Sequence, residues 1–463
     1  MDCLPVELWL QIFGHLDGRA PSESHRHEPP RLILFLANPT SRKPLKTLSL
    51  VCKAMRILIL PILFRNVQWA PYICSLRHFT LNPIPLVRFL DKNDLVRHAA
   101  SFTLLIGYDE PWDLSADPYE GMIRPADLEW FWSQLFSVID PLRVTLIAPP
   151  TTLAALISRV VSLNDSWAFG EHYHMFTLSR QTREEENDEP VSRAVPEPGK
   201  TIRASQVAPS SMGNPPLSPV SLTSSIYGRR TSASVQPRSP PPCVLFTSRR
   251  WTSLLLNEGS YTNTYRYQNF EELEPPSLLG AFLGTESYPN NRPLITSSIV
   301  DFGYVAVFPP ASHVYTLLEN VPVLDRLFLQ ITPDPDNYLK EDADWENIEE
   351  AELWLQRNQI YTLLVRELMA DLGRRKIRVF ESGDPSDRKV WDLTSAWFLS
   401  SGLKTWKIVQ EGLFVRTRTL TDDSARDTNG DAHQNNETDV SPVNGNMLHQ
   451  GLMSPYVCSS GNN

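Results

Sequence analysis

Residues 4–16 read LPVELWLQIFGHL, and this stretch decides how the N-terminal part of the chain folds. Pro5 suits the first position of a helix, where its missing N–H costs nothing, and Glu7 lies in the first turn, near the positive end of the helix dipole. Leu8 and Ile12 recur four residues apart, which places them on one apolar stripe. The sequence therefore predicts an amphipathic helix that begins at Pro5.

A second phased segment, PLKTLSLVCKAMR, occupies residues 44–56. In a helix, Leu45 and Leu48 would form one stripe, while Leu50 and Val51 would point partly elsewhere. The core of so small a module cannot use all of these side chains, so we expect the surplus to contact a partner. An ordinary helical core is the competing interpretation. The surplus side chains are Leu4, Leu8, Leu50, Val51 and Ile57.

Three parts of the chain have the composition of loops or linkers. Residues 180–242 are rich in proline and serine and nearly lack aromatic side chains, and residues 420–463 are acidic and polar. Such segments bury too little apolar surface to offset the entropy of ordering them, so we expect both to be disordered. Residues 17–43 are predicted to be a flexible insertion within the N-terminal module. Three serines of the long insert are candidate phosphorylation sites: Ser218, Ser232 and Ser239.

The remaining residues show two patterns of predicted secondary structure. Residues 1–70 are predicted to be compact helices, whereas residues 71–179 and 243–419 alternate short apolar strands with helical patterns. Strands separated by helices need crossover connections, which favours an α/β or α+β fold with a mostly parallel sheet. The candidate strands are 101–106, 143–147, 252–256, 298–307, 327–331, 377–380 and 404–409, and the best helix pattern spans 345–372.

Charge and cysteine usage narrow the classes of partner and the compartment. The net charge is −10, so the chain repels phosphate, and we expect no nucleic-acid binding. Five scattered cysteines without a Cys-x-x-Cys pair fit a reducing compartment, and Cys52 is expected to be a small buried hydrophobe. No secretory signal and no apolar run of about 20 residues is visible, which predicts a cytoplasmic or nuclear protein that binds no membrane.

Motifs of the common enzyme classes are missing from the sequence. No two glycines stand one residue apart, which excludes a Gly-x-Gly-x-x-Gly loop, and neither His-Glu-x-x-His nor Gly-x-Ser-x-Gly occurs. His172 and His174 would share a strand face but have no third metal ligand nearby. The sequence therefore predicts no catalytic residues, no cofactor and no metal site.

The two N-terminal segments together resemble the F-box. The pattern Leu-Pro-x-Glu-Leu-x-x-x-Ile-Phe at residues 4–13 is followed by Leu-Ser-x-Val-Cys-Lys-x-x-Arg at residues 48–56 and by PILFRNV at residues 61–67. The chain departs from the family in Met55, where tryptophan is common, and in the length of residues 17–43. The resemblance implies a three-helix module that docks on a Skp-type adaptor, which joins a cullin scaffold in SCF ubiquitin ligases. It assigns the Skp contacts to Leu4, Pro5, Leu8, Ile12, Leu50, Val51 and Arg56.

The rest of the chain is similar to fungal F-box proteins with irregular leucine-rich or α/β substrate domains. Residues 318–331 and 353–358 carry this second, less specific resemblance. It implies an irregular leucine-rich-repeat-like α/β domain that binds a protein substrate of unknown identity. The hypothesis is then a non-catalytic substrate-recognition adaptor that presents a bound protein for ubiquitination and proteasomal degradation.

Two other functions stay open at the level of sequence. The chain could be a scaffold that binds a Skp-type protein, or another partner, without joining a cullin ligase. It could also be an unrecognised hydrolase within residues 71–419. A cluster of titratable residues with strongly shifted pKa values in a deep pocket would favour the hydrolase.

Overall fold

In the computed structural model of this chain, every described residue lies within the unit Met1–Thr417. The tail at residues 420–463, nearly all of the insert at residues 180–242, and Ser218, Ser232 and Ser239 lie outside the described residues. The structure describes residues 4–31, 34–35, 43–71, 81–107, 125–161, 173–182, 243–267, 275, 277–287, 290–333, 348–369, 377–384, 391–392, 395–396 and 406–417.

Ten strands of the described chain form a single mixed sheet, and the first eight enter it in chain order. The strand order is β1-β2-β3-β4-β5-β6-β7-β8-β10-β9. Five neighbouring pairs are parallel and four are antiparallel, so the expected mostly parallel sheet is in fact mixed. The strands are β1 Asn66–Trp69, β2 Ser101–Leu105, β3 Arg143–Ala148, β4 His174–Ser179, β5 Ser253–Ser260, β6 Asp301–Val307, β7 Arg326–Gln330, β8 Val379–Ser382, β9 Trp406–Gln410 and β10 Leu413–Arg416.

Eleven α-helices within the described residues accompany the sheet. Among these described helices, none combines the length and the apolar character needed to cross a membrane. The helices are α1 Val6–Leu16, α2 Pro21–Ser24, α3 Lys43–Ser49, α4 Lys53–Leu63, α5 Ile84–Lys92, α6 Pro125–Phe136, α7 Pro150–Leu156, α8 Val244–Thr247, α9 Leu278–Leu283, α10 Ala311–Asn320 and α11 Glu350–Met369.

The helices from α5 to α11 all contribute to one core on one face of the sheet. Strands added in chain order by right-handed crossovers place their connecting helices on the same side. In β3, Val144 and Leu146 belong to this core, whereas Ile147 belongs to a small cluster on the opposite face. We call the first side the helix face. Representative helix residues in its core are Leu90, Leu128, Leu153, Leu245, Leu278, Leu317 and Ile360.

The helices α1, α3 and α4 build a second, much smaller core at the N terminus. Phe13, Leu45 and Ile59 are its most buried members, and Met55, at the position where the F-box family commonly has tryptophan, is buried beside them. The C-terminal end of α4 packs against the main core, and Phe64, the residue that follows the helix, contacts Phe89 of α5 with ring centroids 5.1 Å apart. The N-terminal helices therefore have their own core and are also fixed to the sheet.

The face of the sheet opposite the helices is crossed by residues 17–31 and 34–35, which we call the strap. The sequence predicted a flexible insertion over residues 17–43, but the described part is packed: Ala20, Ser22 and Phe35 are each less than 5% exposed. The strap is polar, which made it look solvated, but its partners on the strands are polar too. We call the side of the sheet that the strap crosses the strap face.

Gly284 ends α9 in a conformation that other residues rarely adopt. Its φ is +74°, and a Cβ there would lie 2.3 Å from the backbone of Arg292 and Pro293. We expect Gly284→Ala to lower the free energy of unfolding by more than about 2 kcal/mol. Gly14 is the matched control, because nothing lies within 4 Å of its added Cβ and α1 would gain about 0.5–1 kcal/mol from alanine. Urea denaturation measures both, and equal stability of the two variants would contradict this assignment.

His27 in the strap should make the fold sensitive to acid. Burial, aided by Arg26, lowers the pKa of His27 from 6.5 to about 4. Between these pH values the unfolded chain binds a proton that the folded chain does not, so stability is full above pH 6.5 and falls as pH drops towards 4. We expect His27→Gln to reduce the slope of unfolding free energy against pH by up to one proton. Urea denaturation at several pH values between 4 and 7 measures the slope, and an unchanged slope in the variant would contradict this assignment.

Candidate docking surface on the N-terminal helices

Every apolar residue that the sequence assigned to a partner is exposed in the structure. Leu50 and Val51 are the most open, with 77% and 63% of their surfaces exposed. Leu4, Leu8 and Ile12 are each between 42% and 43% exposed. Pro5, Arg56 and Ile57 are exposed as well. Among the described residues, the chain's own later part leaves this apolar surface uncovered.

The turn between α3 and α4 explains why two of these side chains point away from the small core. We expected one helix over residues 44–56, but the helix stops at Ser49 and a new one starts at Lys53. The amides of Leu50 and Val51 close the turn by donating to the carbonyl groups of Thr47 and Leu48, at 3.1 and 3.2 Å. Side chains on a projecting turn have few neighbours in their own module.

Cys52 holds this turn in place rather than filling the core. It has an extended conformation, φ −157° and ψ 168°, and its Sγ accepts a hydrogen bond from the Met55 amide at 3.5 Å. The prediction that Cys52 is a buried hydrophobe was wrong, because the residue caps α4 and is exposed. A thiol is a weak acceptor, so cysteine is an uncommon N-cap, and a break between two helices here could not be predicted from the residue types.

The helix α1 exposes apolar side chains on both sides of its buried residue. Phe13 faces the core, and at 100° per residue Leu8 and Ile12 lie on one flank of it. Sequence analysis missed the other flank, where Val6 and Leu10 are 49% and 41% exposed. Val6 and Leu10 also stand four residues apart in the sequence, but Leu8 and Ile12 alone were sufficient to predict the helix.

Basic side chains surround the turn that carries Leu50 and Val51. Lys46 lies one turn of helix before it, and Lys53 and Arg56 lie in the first turn of α4, all three exposed. The carboxylate of Glu7 is the acidic group of α1. An apolar surface with a basic edge favours a partner whose own apolar contact is bordered by acidic side chains.

One buried carboxylate, Glu258, bears on the hydrolase hypothesis. Its carboxylate accepts hydrogen bonds from the hydroxyl groups of Tyr261, Tyr304 and Ser277 and from the amide of Leu278, at the start of α9. The side chain is fully buried, and burial raises its pKa. All of its partners belong to its own chain, so the group joins β5 to α9 and presents no surface to a substrate.

A second buried carboxylate, Asp384, has the same role at the end of β8. Its Oδ1 accepts from the amides of Ile331 and Thr332 at 2.9 and 3.0 Å, and its Oδ2 accepts from the hydroxyl of Tyr361 at 2.6 Å. Burial raises the pKa of this carboxyl too. Shifted carboxylates thus exist, but each caps main chain in the interior, which does not favour a hydrolytic site.

Metal ligands are not brought together in the part of the chain that the structure describes. No group of three or more His, Cys, Asp or Glu side chains there could hold a metal ion. His174 is buried near the end of β4, and desolvation lowers its pKa to about 3. His172 lies outside the described residues.

Comparison with known proteins gave no relative: no family model, no curated protein and no solved structure matches this chain. The class that the described residues define is therefore a mixed α/β protein with a small helical module at its N terminus. The likeness to the F-box is carried by the sequence motif of that module.

The capping role of Asp384 can be measured as stability. Asp384→Ala leaves two buried amides and one buried hydroxyl without their acceptor, so we expect the free energy of unfolding to fall by about 2–5 kcal/mol. Asp325→Ala is the matched control, because that carboxylate is 54% exposed and lies 3.8 Å from Arg378 in a surface ion pair. We expect Asp325→Ala to lower the free energy of unfolding by less than about 1 kcal/mol. Similar losses for both variants in urea denaturation would contradict the role given to Asp384.

Proposed function

We propose that this protein is a non-catalytic substrate-recognition adaptor that docks on a Skp-type protein through its N-terminal helices. The observation that carries the proposal is the exposure of Leu50 and Val51 on the turn between α3 and α4, together with the exposure of Leu8 and Ile12 of α1. These residues coincide with the positions at which the sequence resembles the F-box. Such a cluster of exposed apolar side chains is typical of a protein–protein contact.

The sheet supports the second half of the proposal, an irregular leucine-rich-repeat-like domain that binds substrate. Its first eight strands are added in chain order, and the helices from α5 to α11 lie on one face. A solenoid, in which each unit contacts only its neighbours, would have strands and helices added in this order. The antiparallel strand β4 and the hairpin of β9 and β10 are the departures from such a repeat.

The mechanism needs no catalytic group on this chain. An adaptor of this kind acts by proximity, since it holds a protein substrate beside an enzyme that carries activated ubiquitin and so raises the effective concentration of the reacting lysine. The second contact of the N-terminal helices, between Phe64 at the end of α4 and Phe89 of α5, supports this role. A module fixed to the substrate domain keeps the distance between the two bound proteins constant.

Charges placed in the proposed contact should abolish docking. We expect Leu8→Asp and Val51→Asp each to weaken binding to a purified Skp-type protein by a few kcal/mol, because each buries a charge in a desolvated apolar contact. Val323→Asp is the control, since Val323 is 55% exposed in the loop before β7. Isothermal titration calorimetry measures the affinities, and thermal unfolding checks that the variants fold. Equal affinities for all variants would remove the proposed contact.

Assembly with the ligase is a separate question from docking. Co-purification of the wild-type protein with a Skp-type protein and a cullin scaffold is the expected result for a ligase adaptor. Capture of the Skp-type protein without the cullin would replace the adaptor by a scaffold outside the ligase. The Leu8→Asp variant should lose both proteins.

A further inference from the structure

The strap lies on the strap face in the way that a bound peptide would. Three amide side chains on the strands donate to carbonyl groups of its main chain. Asn257 of β5 donates to Arg26 and Glu28 at 3.1 and 2.8 Å, and Gln330 of β7 donates to His27 at 3.1 Å. Gln68 of β1 donates to the carbonyl of Phe35 at 2.9 Å. Contacts to main-chain carbonyls are available to almost any peptide, so these amides form a sequence-tolerant binding site.

Side-chain contacts add selectivity at one end of the strap. Phe35 is 2% exposed and packs in an apolar pocket on β2, β3, β4 and β5. The ring of His25 meets Phe35 edge to face, with centroids 6.3 Å apart. The pocket consists of Leu105, Ile147, Met175 and Leu255. An aromatic side chain in an apolar pocket is the usual anchor of a recognised peptide.

Two further contacts lie outside this pocket, one at the start of β3 and one on β7. Glu23 pairs with Arg143 of β3 at 3.2 Å, so this position of the face accepts an acidic residue. His27 stacks on Phe328 of β7, with ring centroids 4.5 Å apart and 19° between their planes. On this surface the strap therefore places one acidic side chain, one planar ring and one aromatic anchor, which are Glu23, His27 and Phe35.

The strap face has a different character from the helix face. The helix face is one continuous apolar core, whereas the strap face has a small apolar cluster beside a row of threonines, Thr103, Thr145 and Thr177. Ser22 of the strap bonds to the first of these, with the two hydroxyl oxygens 2.9 Å apart. Polar contacts of this kind can be remade with water or with another peptide, which a buried apolar core cannot do.

We propose that the strap face is a peptide-binding surface that the strap occupies in the resting protein. The ligand is a segment of another protein that carries an aromatic anchor and an acidic residue and offers free main-chain carbonyls. The strap is tethered at both ends, so it competes at an effective concentration of ~mM and keeps weak ligands out. A ligand binds after the strap has left, and its apparent affinity falls by the fraction of molecules that are open.

This inference deepens the proposed function by naming the surface that receives a substrate, and it rests on that function only for the fate of the bound peptide. Binding itself involves β1–β7 and none of the exposed residues of α1. The two proposals can therefore fail separately. Leu8→Asp should leave peptide binding unchanged, and strap variants should leave the affinity for a Skp-type protein unchanged.

The experiment uses the full chain and a fluorescent synthetic peptide with the sequence of residues 17–36. The double variant His27→Ala, Phe35→Ala weakens the strap without touching the strands, so we expect it to bind the peptide at least tenfold more tightly than the wild type does. A peptide with the same two alanines is the control ligand and should bind at least tenfold more weakly. Fluorescence anisotropy measures the affinities.

A cross-link tests the same idea in the opposite direction. Ser22→Cys with Thr103→Cys places two thiols where hydroxyl groups lie 2.9 Å apart, so oxidation should fix the strap and remove peptide binding, and reduction should restore it. If the weakened variant His27→Ala, Phe35→Ala does not fold, Ser22→Ala with Glu23→Ala takes its place. A folded, weakened variant that binds the peptide no better than the wild type would overturn the proposal, as would equal binding with the strap fixed and released.

Discussion

The structure depends on the order in which strands enter the sheet. The first eight strands are added in chain order, and crossovers of the usual hand between the parallel pairs place α5, α6, α9, α10 and α11 on a single face, where α7 and α8 join the same core. That face becomes one large apolar core. The other face receives no such layer from these connections and must be covered by something else. The strap and the docking surface both follow from this asymmetry, since the segment that covers the second face comes from within the N-terminal module.

Sequence periodicity predicted the elements that face a single core. All seven predicted strands occur, shifted by a few residues, and the long helical pattern corresponds to α11, Glu350–Met369. The strands β1, β4 and β10 were missed, although strands of equal length such as β8 were predicted. The antiparallel direction of β4 could not be predicted, since direction depends on connections and not on the residues of the strand.

The candidate docking surface was predictable and the strap was not, for the same physical reason. Exposed apolar side chains such as Leu50 and Val51 stand out because water disfavours them, so a surplus in the sequence signals a partner. The polar part of the strap is held by hydrogen bonds. A polar segment has the same composition whether water or a strand provides its hydrogen-bond partners. The pairing of Glu23 with Arg143, or of His27 with Gln330, has no local signal in the sequence.

The strap also sets an order of events during synthesis. The bond between the His27 carbonyl and Gln330 joins residues 303 positions apart in the chain. At a translation rate of about 5–20 residues per second, roughly 15–60 seconds separate the two residues as they leave the ribosome. The small core of α1, α3 and α4 can form in that interval, while the strap waits for strands that do not yet exist. The partners of the strap on β1, β2, β3 and β5 are made earlier, so the strap completes its contacts in steps and makes the last of them only after β7 has been synthesised.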